Sequence, residues 1–147
     1  MKNKYLTLLL IALAIHPVGA KDVTPAQEIV AATLILEAGG EPTGGMLAVY
    51  EVIRNRSARS NRTLLSECYR RKQFSCWNDV SARPKLLAYA KTHRKFSEAI
   101  GIVTNNPPSN LTKGSTHYHA TRVNPYWALS MKKTVVVGKH IFYHDKK

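Results

Sequence analysis

From residue 24 onward the chain sets polar caps ahead of apolar runs whose spacing is helical. Thr24-Pro25-Ala26-Gln27 has the form of a capping box, with Thr24 as N-cap, Pro25 at the first helical position and Gln27 able to reach back to the Thr24 backbone. Ile29, Val30, Ala32, Thr33, Leu34, Ile35 and Leu36 then leave almost no polar face, which predicts a helix buried on most sides. That run ends on Glu37. Gly39 and Gly40 follow, and they are expected to stop the helix through the left-handed conformation that glycine tolerates. Met46, Val49, Tyr50 and Ile53 fall at i, i+3, i+4 and i+7, predicting an amphipathic helix over about residues 44–57 that packs on the first and turns basic at Arg54, Arg56 and Arg59. Pro84 suits the first turn of a helix through Leu86, Leu87 and Ala90, and Phe96, Ala99, Ile100 and Val103 repeat the spacing in another. Residues 105–110, Asn-Asn-Pro-Pro-Ser-Asn, are a loop signal.

The pattern then changes period. Thr134-Val135-Val136-Val137, Gly138-Lys139 and His140-Ile141-Phe142-Tyr143 read as a hairpin with glycine first in a two-residue turn. His117 and His119 share one face of a strand. The fold class is therefore α+β, mainly helical, with a small antiparallel sheet or hairpin near the C-terminus. No repeat, low-complexity tract or composition shift divides it.

The first residues have a different character. Lys2 and Lys4 precede an apolar run from Tyr5 to Ile15, and Val18-Gly19-Ala20 offers small residues for signal peptidase. The run is short for a bilayer span, so residues 1–20 are expected to be a signal peptide and residues 21–147 one exported domain, periplasmic or secreted to the cell wall. An uncleaved N-terminal anchor is the competing reading. Loss of Lys2 and Lys4 takes the formal charge from +13 to +11. For an exported protein that charge points to anionic polymers of the cell envelope, and nucleic acid is not the expected partner. Much of the charge also serves solubility, since the basic residues are scattered. Cys68 and Cys76 lie close in sequence, and in an oxidising compartment they are expected to form a disulfide; two free buried thiols are the alternative.

The candidate chemistry starts at Glu37. It lies on the face of Val30, Thr33 and Leu34 at the C-terminal pole of an apolar helix, where desolvation and the helix dipole both favour the neutral, proton-bearing form of a carboxyl group. That is the state a general acid needs for glycoside cleavage. The residues alone equally allow a surface glutamate at a helix end. Gln73-Phe74-Ser75-Cys76-Trp77-Asn78-Asp79 groups amide, hydroxyl and aromatic side chains suited to holding a sugar, or else forms a structured loop with Trp77 in the core. Thr116-His117-Tyr118-His119-Ala120 and Asn124-Pro125-Tyr126-Trp127 form a second cluster. His117 and His119 invite a metal, yet no third ligand stands at a telling spacing, so no metal and no cofactor are expected.

Taken in order, Glu37-Ala38-Gly39-Gly40-Glu41-Pro42, Val52-Ile53-Arg54-Asn55-Arg56, Gln73-Phe74-Ser75-Cys76-Trp77, Thr116-His117-Tyr118-His119-Ala120 and Gly138-Lys139-His140-Ile141-Phe142-Tyr143 resemble the SleB/CwlJ family of cell-wall hydrolases over about residues 28–144. The resemblance implies a lysozyme- or lytic-transglycosylase-like domain that cleaves the bond between N-acetylmuramic acid and N-acetylglucosamine in peptidoglycan. It also implies that Glu37 is the catalytic glutamate and that Glu41 organises the loop or the cleft. Gly39 departs from the pattern, in which many relatives carry arginine.

A hydrolase of the common type needs two carboxylates, whereas a lytic transglycosylase uses the muramic acid 6-hydroxyl as nucleophile and one glutamate. Glu41 and Asp79 are the obvious candidates for a second carboxylate. The transglycosylase is the favoured reading and a muramidase is the alternative. Gln73, Ser75, Tyr118, His119 and Trp127 are the expected substrate-binding groups, peptidoglycan strands the expected partner, and the protein is expected to be a monomer. Two other classes stay open: a basic binding module without activity, and a metal-dependent amidase or nuclease using His117 and His119.

Overall fold

Thr24 caps α1 (Pro25–Ala38) as its sequence requires: its Oγ1 accepts from the Gln27 N–H at 3.2 Å, and Gln27 Oε1 accepts from the Thr24 N–H at 2.9 Å. The structure is a computed structural model that describes residues 22–146. The expected signal peptide lies outside the described residues. α1 is the hub of the helical layer, packing against α2 (Thr43–Ser60), α3 (Leu64–Tyr69), α4 (Arg83–Thr92) and α5 (Phe96–Asn105). This is why its sequence lacks a polar face: Val30 through Ile35 are all buried. Truncating a side chain such as Leu34 there to alanine removes about 2–5 kcal/mol of stability. Among the described residues, no helix is long and apolar enough to cross a membrane.

The stop after α1 differs from expectation. Gly39 is the C-cap but has φ −62°, and its N–H bonds the Ile35 carbonyl at 2.8 Å. What the position demands is smallness: a Cβ there would meet the Ile35 oxygen at 2.6 Å and the His93 ring at 3.3 Å. The turn ends at Pro42, the N-cap of α2.

α2 runs longer than predicted and is buried on two sides. Met46, Val49, Tyr50 and Ile53 join the core around α1. Ala48 and Val52 instead meet Phe142, Tyr118, Val135 and Val137, and so form a second, smaller core between helix and sheet.

The sheet is antiparallel with order β1 (His117–Ala120), β3 (His140–Asp145), β2 (Met131–Val137). The predicted hairpin is present, closed by Gly138 at φ 55° and Lys139. Tyr118 pairs with Phe142 and His117 with Tyr143, so Tyr118, Ala120, His140 and Phe142 share the face toward α2, while His117, His119, Ile141 and Tyr143 share the other. The ladder slips between Lys133 and Val135, where Thr134 turns in to donate to the Phe142 carbonyl at 3.0 Å. α3, absent from the periodicity reading, starts at a Thr63 cap whose Oγ1 accepts from the Ser66 N–H.

Candidate active site

Glu37 stands in the last turn of α1, where the helix meets the inner face of the sheet. Its Oε2 accepts a hydrogen bond of 2.7 Å from the Tyr118 hydroxyl, and its Oε1 faces the Cys76 thiol, with Sγ at 3.7 Å. Burial and the adjacent Glu37 charge both push the Tyr118 hydroxyl well above its ordinary value. Burial, again with Glu37 beside it, pushes the Cys76 thiol up to about 12. Both partners therefore keep their protons at neutral pH and act as donors. A carboxylate held this way has a fixed orientation and one strong partner, leaving Oε1 with only a weak thiol contact.

Beside Glu37 is a cavity of about 290 Å³ lined by Glu41, Ala120, Thr121, Arg122, Lys139 and His140 as well. His140 packs edge-on against Tyr118 with ring centroids 5.2 Å apart, and its Nδ1 is buried without a partner. Burial lowers the His140 pKa, with Glu41 and Glu37 pulling the other way. The ring is thus mainly neutral at pH 7, and with Nδ1 buried it is Nε2 that can meet a bound hydroxyl or amide, as donor or acceptor according to the tautomer.

Glu41 is fixed differently. Only 8% exposed, it accepts from the Lys139 N–H at 3.0 Å through Oε2, and its own carbonyl takes the Lys95 ammonium. A Cβ on Gly138 would lie 2.1 Å from Glu41 Oε2, so only glycine lets the hairpin turn close over this carboxylate. Glu41 thereby ties the α1–α2 turn to the β2–β3 turn across the cavity that Glu37 lines.

The polar end of α2 holds the segment that delivers Tyr118. Glu51, 2% exposed, accepts from the Ser109 hydroxyl and the Leu111 N–H through Oε1, and from the Thr112 N–H and hydroxyl through Oε2. Burial alone would raise this carboxyl, but the four donors outweigh it and hold the pKa below the usual glutamate value. One turn on, Arg54 donates to Asn106 Oδ1 and the Pro107 and Ser109 carbonyls, Asn55 to the Ser115 carbonyl at 2.8 Å, and Arg56 Nε to the Thr116 carbonyl at 2.5 Å. The Arg54-Asn55-Arg56 motif is therefore a clamp on residues 106–116, and β1 starts at the next residue.

The other sequence-predicted groups fall into three places. Tyr118 touches Glu37. Gln73 lines a separate arginine-rich cavity, and Ser75 is exposed. His119 and Trp127 are on the outer sheet face: His119 stacks on Tyr143 at 5.2 Å, bonds its hydroxyl through Nε2 at 2.9 Å, and meets Trp127 edge-on. His117 joins them against Trp127. Among the described residues, no three His, Cys, Asp or Glu side chains converge as metal ligands would. Trp77 is core, its Nε1 donating to Thr33 Oγ1 at 2.9 Å. Asp79 caps its own turn through Ser81, away from Glu37.

The expected disulfide is corrected. Cys68 and Cys76 are free thiols: Cys68 is fully buried in the helical core, while Cys76 turns toward Glu37. Spacing and compartment favoured a bridge, but they carry no information about which way each side chain points. Cys76, His140 and Glu51 were missed as parts of the site. The hairpin register could have found His140, since parity sets it on the same face as Phe142 and Tyr118.

A search of curated proteins finds no match. The fold is similar to the solved catalytic domain of the germination-specific lytic transglycosylase SleB from Bacillus anthracis, with a TM-score of 0.64 at 20% identity over 86% of this chain and 100% of that one. The model of the Cell Wall Hydrolase family matches residues 40–143, beginning three residues after Glu37 and taking in Glu41, the α2 clamp, Tyr118 and the hairpin. With most of its length matched, and the lytic-transglycosylase-like fold beside it, the chain belongs to the cell wall hydrolase family of SleB/CwlJ type.

Proposed function

We propose that the protein cleaves the glycan strands of peptidoglycan outside the cytoplasm, at the bond between N-acetylmuramic acid and N-acetylglucosamine, as a lytic transglycosylase in which Glu37 is the single acid and base. The observation that carries this reading is the Glu37 carboxylate itself, oriented by Tyr118 and Cys76 at the wall of a cavity whose other carboxylate, Glu41, is committed to the hairpin backbone. Membership of the cell wall hydrolase family supports the substrate.

In this mechanism Glu37 protonates the glycosidic oxygen as the bond to the muramic acid C1 breaks. The 6-hydroxyl of the same muramic acid then bonds C1 and returns its proton to Glu37. The products are a 1,6-anhydro end and a free 4-hydroxyl on the neighbouring sugar, with no water consumed. Tyr118 holds Oε2, so Oε1 carries the travelling proton. His140, neutral and facing the same cavity, is placed to bond a substrate hydroxyl or acetamido group.

A muramidase is the second reading, favoured by one observation: Glu41 lines the same cavity as Glu37. It would have Glu41 activate water through Oε1 while Oε2 stays on the Lys139 N–H. The direct test of the glycan-cleaving reading is Glu37→Gln, an isosteric change that removes the proton. Turnover of purified peptidoglycan should be lost while circular dichroism and melting temperature stay as in the wild type. Unchanged turnover would refute Glu37 as the catalyst, and unchanged binding with no turnover in either protein would favour the binding module.

A further inference from the structure

Away from the Glu37 cavity, where the end of α2, the end of α3 and the start of β1 meet, lies a cavity of about 320 Å³ whose lining includes Arg56, Arg59, Arg70, Gln73, His117 and the carboxylate of Asp145. We infer that it is a carboxylate-binding subsite for the peptide substituent of the glycan, an assignment that rests on the proposed peptidoglycan substrate.

Charge is the first argument. Arg59 pairs with Asp145, and Glu67 behind the cavity is near Arg62 at 3.7 Å and Arg70 at 3.6 Å. Four arginines, Arg56 included, thus share two carboxylates, and among the described residues Arg56 has none at ion-pair distance. Its guanidinium is half-buried, stacked on the Phe74 ring and tied to the Thr116 carbonyl, with Nη1 buried and unpartnered. Burial lowers its pKa, with Tyr118, Glu67 and Glu37 pulling the other way. A desolvated positive charge with spare donors attracts an anion far more strongly than a surface lysine does.

Arg70 makes no hydrogen bond to Glu67 at its 3.6 Å separation and is 46% exposed, so its planar fork can turn to a carboxylate entering above Arg56. Gln73 and the Thr116 hydroxyl add neutral partners, His117 has its pKa lowered by burial and by Arg56, and Asp145, the carboxylate in the lining, is held by Arg59. Both cavities border β1: His117 lines this one, and Tyr118, the next residue, holds Glu37 from the opposite face of the sheet.

The test uses the wild type, Arg70→Gln, and Lys85→Gln as a control for charge alone, Lys85 being an exposed residue of α4 outside the cavity lining. Each is assayed on peptide-bearing strands and on strands stripped of peptide by an amidase, and each is titrated with the released stem peptide by calorimetry. The wild type should cleave peptide-bearing strands with a kcat/KM roughly tenfold above stripped ones, the scale of one charge-assisted hydrogen bond. Arg70→Gln should collapse that ratio toward one, mainly through KM, and lose stem-peptide binding; Lys85→Gln should keep both. Stem-peptide binding that Arg70→Gln abolishes, in a protein cleaving neither substrate, would refute the glycan-cleaving reading and leave this one standing. Cleavage with no preference and no stem-peptide binding, or binding that survives in Arg70→Gln, would overturn the subsite.

Discussion

Glu51→Gln tests the buried cradle on which the site depends. Oε1 of Glu51 takes the Leu111 N–H at 2.9 Å and the Ser109 hydroxyl, and Oε2 takes the Thr112 N–H and hydroxyl, each at 2.8 Å. Glutamine has one acceptor oxygen. Whichever way its amide turns, the NH₂ confronts a backbone N–H that cannot reverse its polarity. One unpaired buried donor costs about 1–3 kcal/mol, and the surviving bonds fall from charged to neutral strength, so the expected loss is about 2–4 kcal/mol. Urea unfolding at pH 7 followed by circular dichroism measures it. A pH series adds a sign. Because hydrogen bonding holds the folded Glu51 pKa below its unfolded value, its stabilisation is complete above the unfolded value of about 4.3 and is lost as pH falls through the lower folded value. The gap between wild type and Glu51→Gln should therefore be full at pH 6–8 and close in acid. A loss under about 0.5 kcal/mol, the usual scatter of surface substitutions, or a gap indifferent to pH would refute the cradle.

Tyr118→Phe removes the strong partner of Glu37 while keeping the ring in its contact with Phe142; kcat on peptidoglycan should fall about 10- to 100-fold with KM little changed, and an unaltered kcat would show that the hydroxyl does not position the acid. Gly138→Ala sets a methyl against Glu41 Oε2 at a φ of 55°, so a loss of about 1–3 kcal/mol with weakened turnover is expected, read by thermal melting and turnover on the same sample. Burial lowers the folded pKa of His140, so the unfolded chain binds this proton more readily and stability should drop as pH falls below about 6.5. His140→Gln should flatten that part of the melting profile, with His117, shifted the same way, retaining the remainder.

The helical half was legible because its signals are local. The Thr24 cap, the Met46-Val49-Tyr50-Ile53 stripe and Pro84 act within a turn or two of chain, and the structure puts helices where they point. The hairpin followed from Gly138-Lys139 for the same reason. What sequence did not reveal is set across long separations. Parity put His117 and His119 on one face but could not say which; their ring contacts with Trp127 and Tyr143 put that face away from Glu37. Glu51 looked like a polar residue on an amphipathic helix, and only the fold brings residues 109–112 over it. Gly39 looked like a left-handed stop, but a Cβ there would crowd the Ile35 carbonyl of its own helix and the His93 ring of another element. Arg54 and Arg56, read as a basic surface, turn to backbone carbonyls, Arg54 through both Nη atoms and Arg56 through Nε alone.

Mass spectrometry of purified peptidoglycan digested by the protein tests the single-glutamate mechanism most directly. A single-glutamate transglycosylase releases 1,6-anhydro-muropeptides with no oxygen incorporated from H₂¹⁸O, and Glu37→Gln should release none. Reducing-end muramic acid carrying ¹⁸O, or released stem peptides with intact strands, would contradict it.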